Sequence, residues 1–301
     1  MNSRCLNEIK AEALRLGFFA CGVAKAAKVA DGDIEAYLST MQNGGFGCMD
    51  YLCNNLDKRF DPTLLMPGAK SIISVALNYN PQHHIPSGNY QIATYAYGRD
   101  YHDVMRRMLH QLATQIGLTD YRAFCDTAPV LERYWAAQAG IGWIGKNHQL
   151  IVPGAGSRIF LGEIITTDEL PISEEHLTPH CGQCTQCIDA CPTGATFGSQ
   201  AWIPQCLSYL TIENCGDIPA KAAVKMSPCF YGCDRCTDAC PWNRNVEPTQ
   251  IADFHPSEEL LQMTNEDWQN LSEEDYQRLF KGSAVKRAKY EGLKRNIKAM
   301  Q

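Results

Sequence analysis

The chain has no apolar window approaching the ~18 uncharged residues that a membrane-spanning helix needs. Arg4, Glu8, Lys10, Glu12 and Arg15 interrupt any apolar run before Phe18, so no secretory leader is expected. Positive charge is not in excess either. With 27 Lys and Arg against 33 Asp and Glu, the formal net charge is −6, and the whole molecule is no electrostatic magnet for nucleic acid. No stretch repeats and none is compositionally biased, which leaves an ordinary globular chain. Its 301 residues suit about two domains, and 45% hydrophobic residues can bury a real core.

Cysteine, in contrast, is abundant. Fifteen cysteines in a short secreted chain would read as disulfides, but here seven stand at a different spacing. Cys181, Cys184, Cys187 and Cys191-Pro192 form C-x2-C-x2-C-x3-C-P, the bacterial ferredoxin pattern for 4Fe–4S clusters. Three thiolates two residues apart wrap one face of a cubane, while the fourth reaches a second cluster. Cys233, Cys236 and Cys240-Pro241 repeat the last three positions, so two clusters are implied. Structural zinc knuckles are the rival, since C-x2-C pairs also suit tetrahedral zinc; zinc rarely takes four cysteines in one such run before a proline. Thiolates kept free for iron imply a reduced cytoplasm. Cys5, Cys21, Cys48, Cys53 and Cys125 read as buried small hydrophobes.

Along the chain, Leu6, Ile9, Ala13 and Leu16 recur at helical spacing over 2–16, and Phe18 to Ala24 reads as a buried strand. Helical segments follow near 33–42 and 48–57. The clearest strand is 70–79, KSIISVALNY, bounded by Pro67-Gly68 and Pro81. Val104, Met108, Leu112 and Ile116 predict a helix over 101–116. A strand at 121–125 runs into Asp126-Thr127-Ala128-Pro129 and a helix to Ala139, and strands near 149–152 and 158–166 complete an α/β layer. The expected division is 1–170, 171–248 for the ferredoxin-like part, and 249–301 for a helical segment. Within the last, Lys281, Lys286, Arg287, Lys289, Lys294, Arg295 and Lys298 face a single acid, Glu291. Such a run is either a solvated helix face or a phosphate-binding patch.

Several segments resemble the epoxyqueuosine reductase family: YGRDYH (97–102), CDTAPVLERYWAAQAGIGWIGKN (125–147), IFLGEI (159–164), HCGQCTQCIDACPTGA (180–195), CLSYLTIE (206–213), YGCDRCTDACPWNR (231–244) and GSAVKRAKYEGLKRN (282–296). The similarity runs in order along nearly the whole chain. It implies an α+β protein: an α/β cobalamin-binding domain like that of reductive dehalogenases, then a ferredoxin-like domain with two 4Fe–4S clusters. The implied reaction reduces the epoxide of epoxyqueuosine in a tRNA anticodon loop to queuosine, with electrons passing from an external donor through the clusters to cobalamin. A cytoplasmic monomer without membrane association is expected. A cobalamin-dependent, dehalogenase-like reductase of a small molecule is the alternative; a bare electron carrier would not need the long α/β part.

The resemblance also assigns residues. Asp126 matches the family's catalytic acid, needed because the opening epoxide develops an alkoxide; from the sequence alone a helix N-cap is an equal reading. A raised pKa in a closed pocket would keep its proton near neutral pH. Arg133 and Lys146 are expected against cobalamin, with Arg59, Asn147, Ser208 and Asp234 as weaker candidates, and Arg133 has a surface ion pair as its other reading. Tyr101 and His102 are candidate pocket residues. Cys206, Cys215 and Cys229 compete to be the eighth cluster ligand, and family matching selects Cys206. The implied sets are Cys181, Cys184, Cys187 and Cys240 for one cluster, and Cys191, Cys206, Cys233 and Cys236 for the other, crossed as in two-cluster ferredoxins. Thr211 and the tail residues Lys281, Lys286, Lys289, Arg287 and Arg295 are the expected tRNA contacts. Longer family members carry a helical-repeat extension that is not present here, which would leave more of the binding to the basic tail.

Overall fold

A computed structural model describes residues 5–196 and 202–301. The chain forms two compact units, each discontinuous in sequence. The first comprises residues 1–44, 50–78 and 102–184, and the second 45–49, 79–101 and 185–301. The segment 249–301 thus belongs to the second unit rather than standing alone.

The first unit is built on four strands: β1 (Ala20–Lys25), β2 (Ser71–Asn78), β3 (Tyr121–Phe124) and β4 (Ile159–Thr166). Their order is β1-β2-β4-β3 and every neighbouring pair is antiparallel. β2 and β4 are the interior strands. Seven of eight β2 residues are buried, which explains its near-continuous β-branched and apolar sequence: both faces are covered. On one face lies α1 (Tyr101–Gln115). A Cβ on Gly162 would meet Met105 Cε at 2.7 Å, so this face accepts the helix only without a side chain there. On the other face lies α2 (Glu132–Gln138), ended by Ala139. The Ala139 carbonyl oxygen would be 2.0 Å from a Cβ on Gly22. Helix and strand approach so closely that only glycine fits. Ala24, Ile72, Phe124, Trp135, Ala139 and Ile165 fill the core on this side.

Most expected elements appear within a few residues of their bounds. Two differ in a way that matters. The helix after Pro129 does not begin until Glu132, because Ala128 to Leu131 form a turn in which the Val130 N–H bonds the Ala128 carbonyl. The expected helix over 48–57 is instead a short turn at Asp50–Cys53 followed by the helix Leu56–Phe60.

The second unit has a parallel strand pair, Gln91–Ile92 beside Cys229–Tyr231, and a core of Phe230, Tyr231, Trp268, Tyr276 and Phe280. Trp268 stacks on Phe280 with an interplanar angle of 17° and ring centroids 6.1 Å apart. The C-terminal helix Lys289–Ala299 buries Leu293, Asn296 and Ile297 in this core. The Asn296 amide donates to the carbonyls of Thr211 and Phe230, at 2.7 and 2.9 Å. The basic segment is therefore amphipathic and docked, with Lys289 and Lys298 exposed on the outward side.

Among the described residues, no helix is long and apolar enough to cross a membrane.

Candidate active site and thiol clusters

Asp126 lies two residues past the end of β3, at φ +52°, in the left-handed region that non-glycine residues seldom enter. Its N–H donates to Glu132 Oε1 at 2.5 Å. Its side chain is 65% exposed, with Oδ2 3.9 Å from Nε2 of His102 at the start of α1. The N-cap reading of Asp126 is thereby removed, since the residue preceding α2 is Leu131 and Asp126 stands well outside the helix. The expectation of a closed environment also needs correction: the carboxyl of Asp126 faces solvent. Two less exposed acids lie behind it, one of them fully buried.

Those acids are Glu132 and Glu163. Glu163 occupies the middle of β4, opposite Ser74 of β2 and Phe124 of β3, with no exposed surface. Glu132 opens α2, and its carboxyl and that of Glu163 act on one another's ionisation. Burial, and then the charge of Asp126, push Glu132 from the ordinary 4.5 up to about 8. Burial, and then the charge of Glu132, raise Glu163 well above the usual carboxylate range. The folded chain therefore holds a proton that the unfolded chain releases. Stability from this source is complete below about 4.5 and declines as pH rises towards about 8. Reasoning from sequence missed both residues. The available signal was one acid inside an otherwise apolar strand, Ile159–Thr166.

Arg133 touches solvent yet is ringed by protein, and burial lowers its pKa against the opposing charges of Asp126 and Glu132. Its guanidinium donates to the His148 carbonyl, so it braces the 145–149 turn instead of forming the surface ion pair. Asn147, 5% exposed, accepts from the Gln149 N–H through Oδ1 and has an Nδ2 with no protein partner. Lys146 directs Nζ to the carbonyls of Gly182 and Cys184, at 2.7 and 3.1 Å. It thereby clamps the first cysteine loop. Arg59 is buried, donates to the Tyr51 carbonyl at 3.1 Å and lies over the Tyr37 ring.

The two cysteine runs, the first of which opens in the first unit at Cys181 and Cys184 and continues into the second, share one local fold. Thr185 precedes the single-turn helix Gln186–Asp189, and Asp234 precedes Arg235–Asp238. Each turn ends at an αR alanine, Ala190 or Ala239, before a Cys-Pro pair, and the two turns pack together. Burial raises Cys233 and Cys236, Cys236 to about 12, and each feels its neighbouring thiols: Cys206 acts on both, and Cys191 on Cys236. Cys191, Cys206, Cys233 and Cys236 are thus gathered in one electrostatic neighbourhood. Cys229 also acts on Cys233, so proximity alone does not dismiss it. Cys206 differs in receiving backbone N–H groups from Ser208 and Tyr209, which oppose the rise that burial imposes. Ser208 contributes this backbone donor at the first turn of the helix Leu207–Ile212. Asp234 accepts the Thr94 N–H through Oδ2 at 2.7 Å, bracing the second run.

Three expectations fail here. Thr211 is fully buried; its hydroxyl donates to the Leu207 carbonyl at 2.7 Å and accepts the Gly232 N–H at 2.9 Å, so it cannot touch tRNA. Arg295 donates to the carbonyls of Leu210, Asn214 and Gly216, which ties it to the end of the Leu207–Ile212 helix. Cys5, Cys48 and Cys53 are exposed, and only Cys21 and Cys125 of the five cysteines expected to be buried are so. Arg287 forms a two-pronged ion pair with Glu213, at 2.9 and 2.7 Å. Lys281, Lys286 and Lys289 are exposed.

The family model described as Epoxyqueuosine reductase QueG, DUF1730 matches residues 59–127. A 4Fe-4S double cluster binding domain matches 180–243. An epoxyqueuosine reductase of Cellulophaga algicola is 44% identical over 96% of this chain and 95% of its own length. A crystal structure of epoxyqueuosine reductase with an epoxyqueuosine-modified tRNA-Tyr stem loop matches at TM-score 0.86 and 27% identity, covering 98% of this chain and 80% of that one. A Bacillus subtilis epoxyqueuosine reductase matches at TM-score 0.84 and 26% identity, over the same shares, and is described with its catalytic aspartate loop swung out of the active site.

The thiol geometry makes a testable distinction. After anaerobic iron–sulfur reconstitution, Cys206→Ser should lose about half the iron, one cubane of two. Cys229→Ser should keep the full complement. Iron analysis giving the reverse order would transfer the ligand role to Cys229.

Proposed function

The chain belongs to the epoxyqueuosine reductase family, and from that premise we propose how its own residues carry out the reaction. The reduction converts an epoxide, two electrons and two protons into an alkene and water. The observation that carries the assignment is the 44% identity spanning almost the full length of both chains. The substrate is epoxyqueuosine in a tRNA stem loop, as in the related complex.

Two 4Fe–4S clusters and cobalamin are the cofactors of this reading. Cys181, Cys184, Cys187 and Cys240 would hold one cluster, and Cys191, Cys206, Cys233 and Cys236 the other. For the corrinoid, support comes from Asn147, whose buried Nδ2 offers N–H groups that the protein leaves unpaired. Arg133, an exposed residue, offers a cation on the same stretch of chain. Such donors suit the carboxamides and phosphate of cobalamin. When bound, it supplies a strongly reducing metal centre that the clusters recharge. Lys146, clamping the first cysteine loop, belongs in this reading to the link between clusters and corrinoid, and Arg59 to the scaffold.

Asp126 passes a proton from its carboxyl to the epoxide oxygen as the C–O bond breaks. Without that proton an alkoxide would have to leave. Exposure of the carboxyl allows reloading from solvent, and His102 is near enough to orient it. In this reading the segment bearing Asp126 is the movable part, as the catalytic aspartate loop of the Bacillus subtilis relative is described swung out of its active site; here its N–H is anchored at Glu132. A nucleoside in an anticodon loop is already only partly stacked, so bringing it to the reducing centre costs little. The exposed Lys281, Lys286 and Lys289 are the phosphate contacts, with Arg295 and Thr211 excluded by their internal bonds.

Two outcomes are expected. With reconstituted enzyme, a chemical reductant and an epoxyqueuosine-bearing stem loop, Asp126→Asn should retain its iron and corrinoid content. Its turnover, followed by mass spectrometry of the nucleosides, should fall by about 10²-fold to 10⁴-fold; wild-type turnover in that variant would remove Asp126 from the role. Replacing Lys281, Lys286 and Lys289 together by Ala should weaken stem-loop binding and lower the salt slope of log K by about one for each phosphate no longer neutralised. An unchanged slope would place the tRNA elsewhere.

A further inference from the structure

The Glu132–Glu163 pair lies behind Asp126, and the proton transfer assigned to Asp126 leaves it unused. Glu163 has no exposed surface, and neither of its carboxyl oxygens has a donor in good hydrogen-bonding geometry. The groups nearest it are the Glu132 carboxyl and the Ser74 hydroxyl, and Asp126 adds negative charge. Two carboxylates are acceptors only, so a bond between them exists only when one of them carries a proton. On its other side Glu132 Oε1 accepts the Asp126 N–H at 2.5 Å. The charged groups facing Glu132 are Asp126 from the loop after β3, Arg133 from α2 and Glu163 from β4. One guanidinium then stands against three acids. Full ionisation of all three would leave uncompensated charge in the sheet.

We propose that Glu132 and Glu163 share one proton, and that this acid–carboxylate pair positions the catalytic segment by holding the Asp126 N–H. The inference rests on the reading of Asp126 as proton donor. While the proton is present, Glu132 is fixed between Glu163 and the backbone of Asp126. When it leaves, like charges drive Glu132 away from Glu163, and the anchor of Asp126 goes with it. Burial first, and neighbouring charge second, oppose ionisation of both carboxyls, so the pair holds its proton through neutral pH and releases it on the alkaline side. The proton itself is not consumed. Glu132 and Glu163 are positioning residues, acting through Asp126.

Glutamine at position 163 tests this directly, because its amide N–H can donate to the Glu132 carboxylate without any titrating proton. With the fully loaded enzyme and the stem-loop substrate, wild-type kcat should fall about tenfold per pH unit above the pair's titration. Glu163→Gln should sustain turnover at neutral pH and lose that alkaline fall. Glu163→Leu, which offers no donor, should be lower by about 10²-fold at every pH, as expected for a misplaced catalytic group. An alkaline fall in Glu163→Gln identical to wild type would overturn the proposal. A second measurement covers the case in which variants fold poorly. The resting wild-type protein, labelled with ¹³C-glutamate, should show a protonated-carboxyl infrared band at neutral pH that disappears on alkaline titration; absence of the band at neutral pH would also overturn it. Because that band is read without substrate, an enzyme that shows it yet leaves epoxyqueuosine untouched contradicts the catalytic reading and not the pair.

Discussion

A carboxyl group in the interior of a sheet cannot be left charged and alone, and the first unit is arranged around that constraint. Glu163 sits on β4 with strands on both sides and a helix above. Isolated ionisation there would be very costly, so the site needs a proton, a cation or both. Glu132 meets it from the first turn of α2, and Arg133 follows in the next position of the same turn. Asp126 then hangs from the second carboxyl by its backbone. An exposed acid with left-handed backbone is thus anchored through its N–H by Glu132, with Glu163 behind it. The close approach of β1 and the end of α2, possible because residue 22 is glycine, fixes the helix that carries Glu132.

The second unit solves a different problem, the gathering of thiols from distant parts of the chain. Two copies of the same short turn, each closed by Cys-Pro, pack together, and Cys206, at the head of the helix Leu207–Ile212, shares an electrostatic neighbourhood with Cys191, Cys233 and Cys236. That helix is held at its far end by Arg295, Asn296 and Thr211. The basic C-terminal stretch therefore has two roles divided by face. Its inward residues secure the Cys206 helix, and its outward lysines remain available to solvent.

What the sequence made legible follows from the range of the interactions involved. The cysteine runs encode a local fold, and their spacing alone pointed to clusters. The strand Ser71–Asn78 and the helix Tyr101–Gln115 were readable because hydrophobic period is a local signal. The family resemblance added Asp126, which spacing could not separate from a helix cap. The remaining features depend on interactions between distant residues. Nothing near Thr211 indicates that Gly232 will bond its hydroxyl, and nothing near Arg295 shows three carbonyls waiting 79 to 85 residues away. Charge alone made Arg295 resemble its neighbours Lys286 and Lys289. The buried acids were the one omission with a local trace, since a glutamate amid Ile, Phe, Leu and Gly departs from an otherwise apolar strand.

On this account the chain carries electrons through sulfur-bound iron and delivers a proton where an oxygen must leave. The most direct measurement of that claim is nucleoside analysis of tRNA from a strain lacking this gene. Epoxyqueuosine should accumulate in place of queuosine, and queuosine should return when the gene is restored. Unaltered queuosine in the deletion strain, in the absence of a second reductase, would contradict the account.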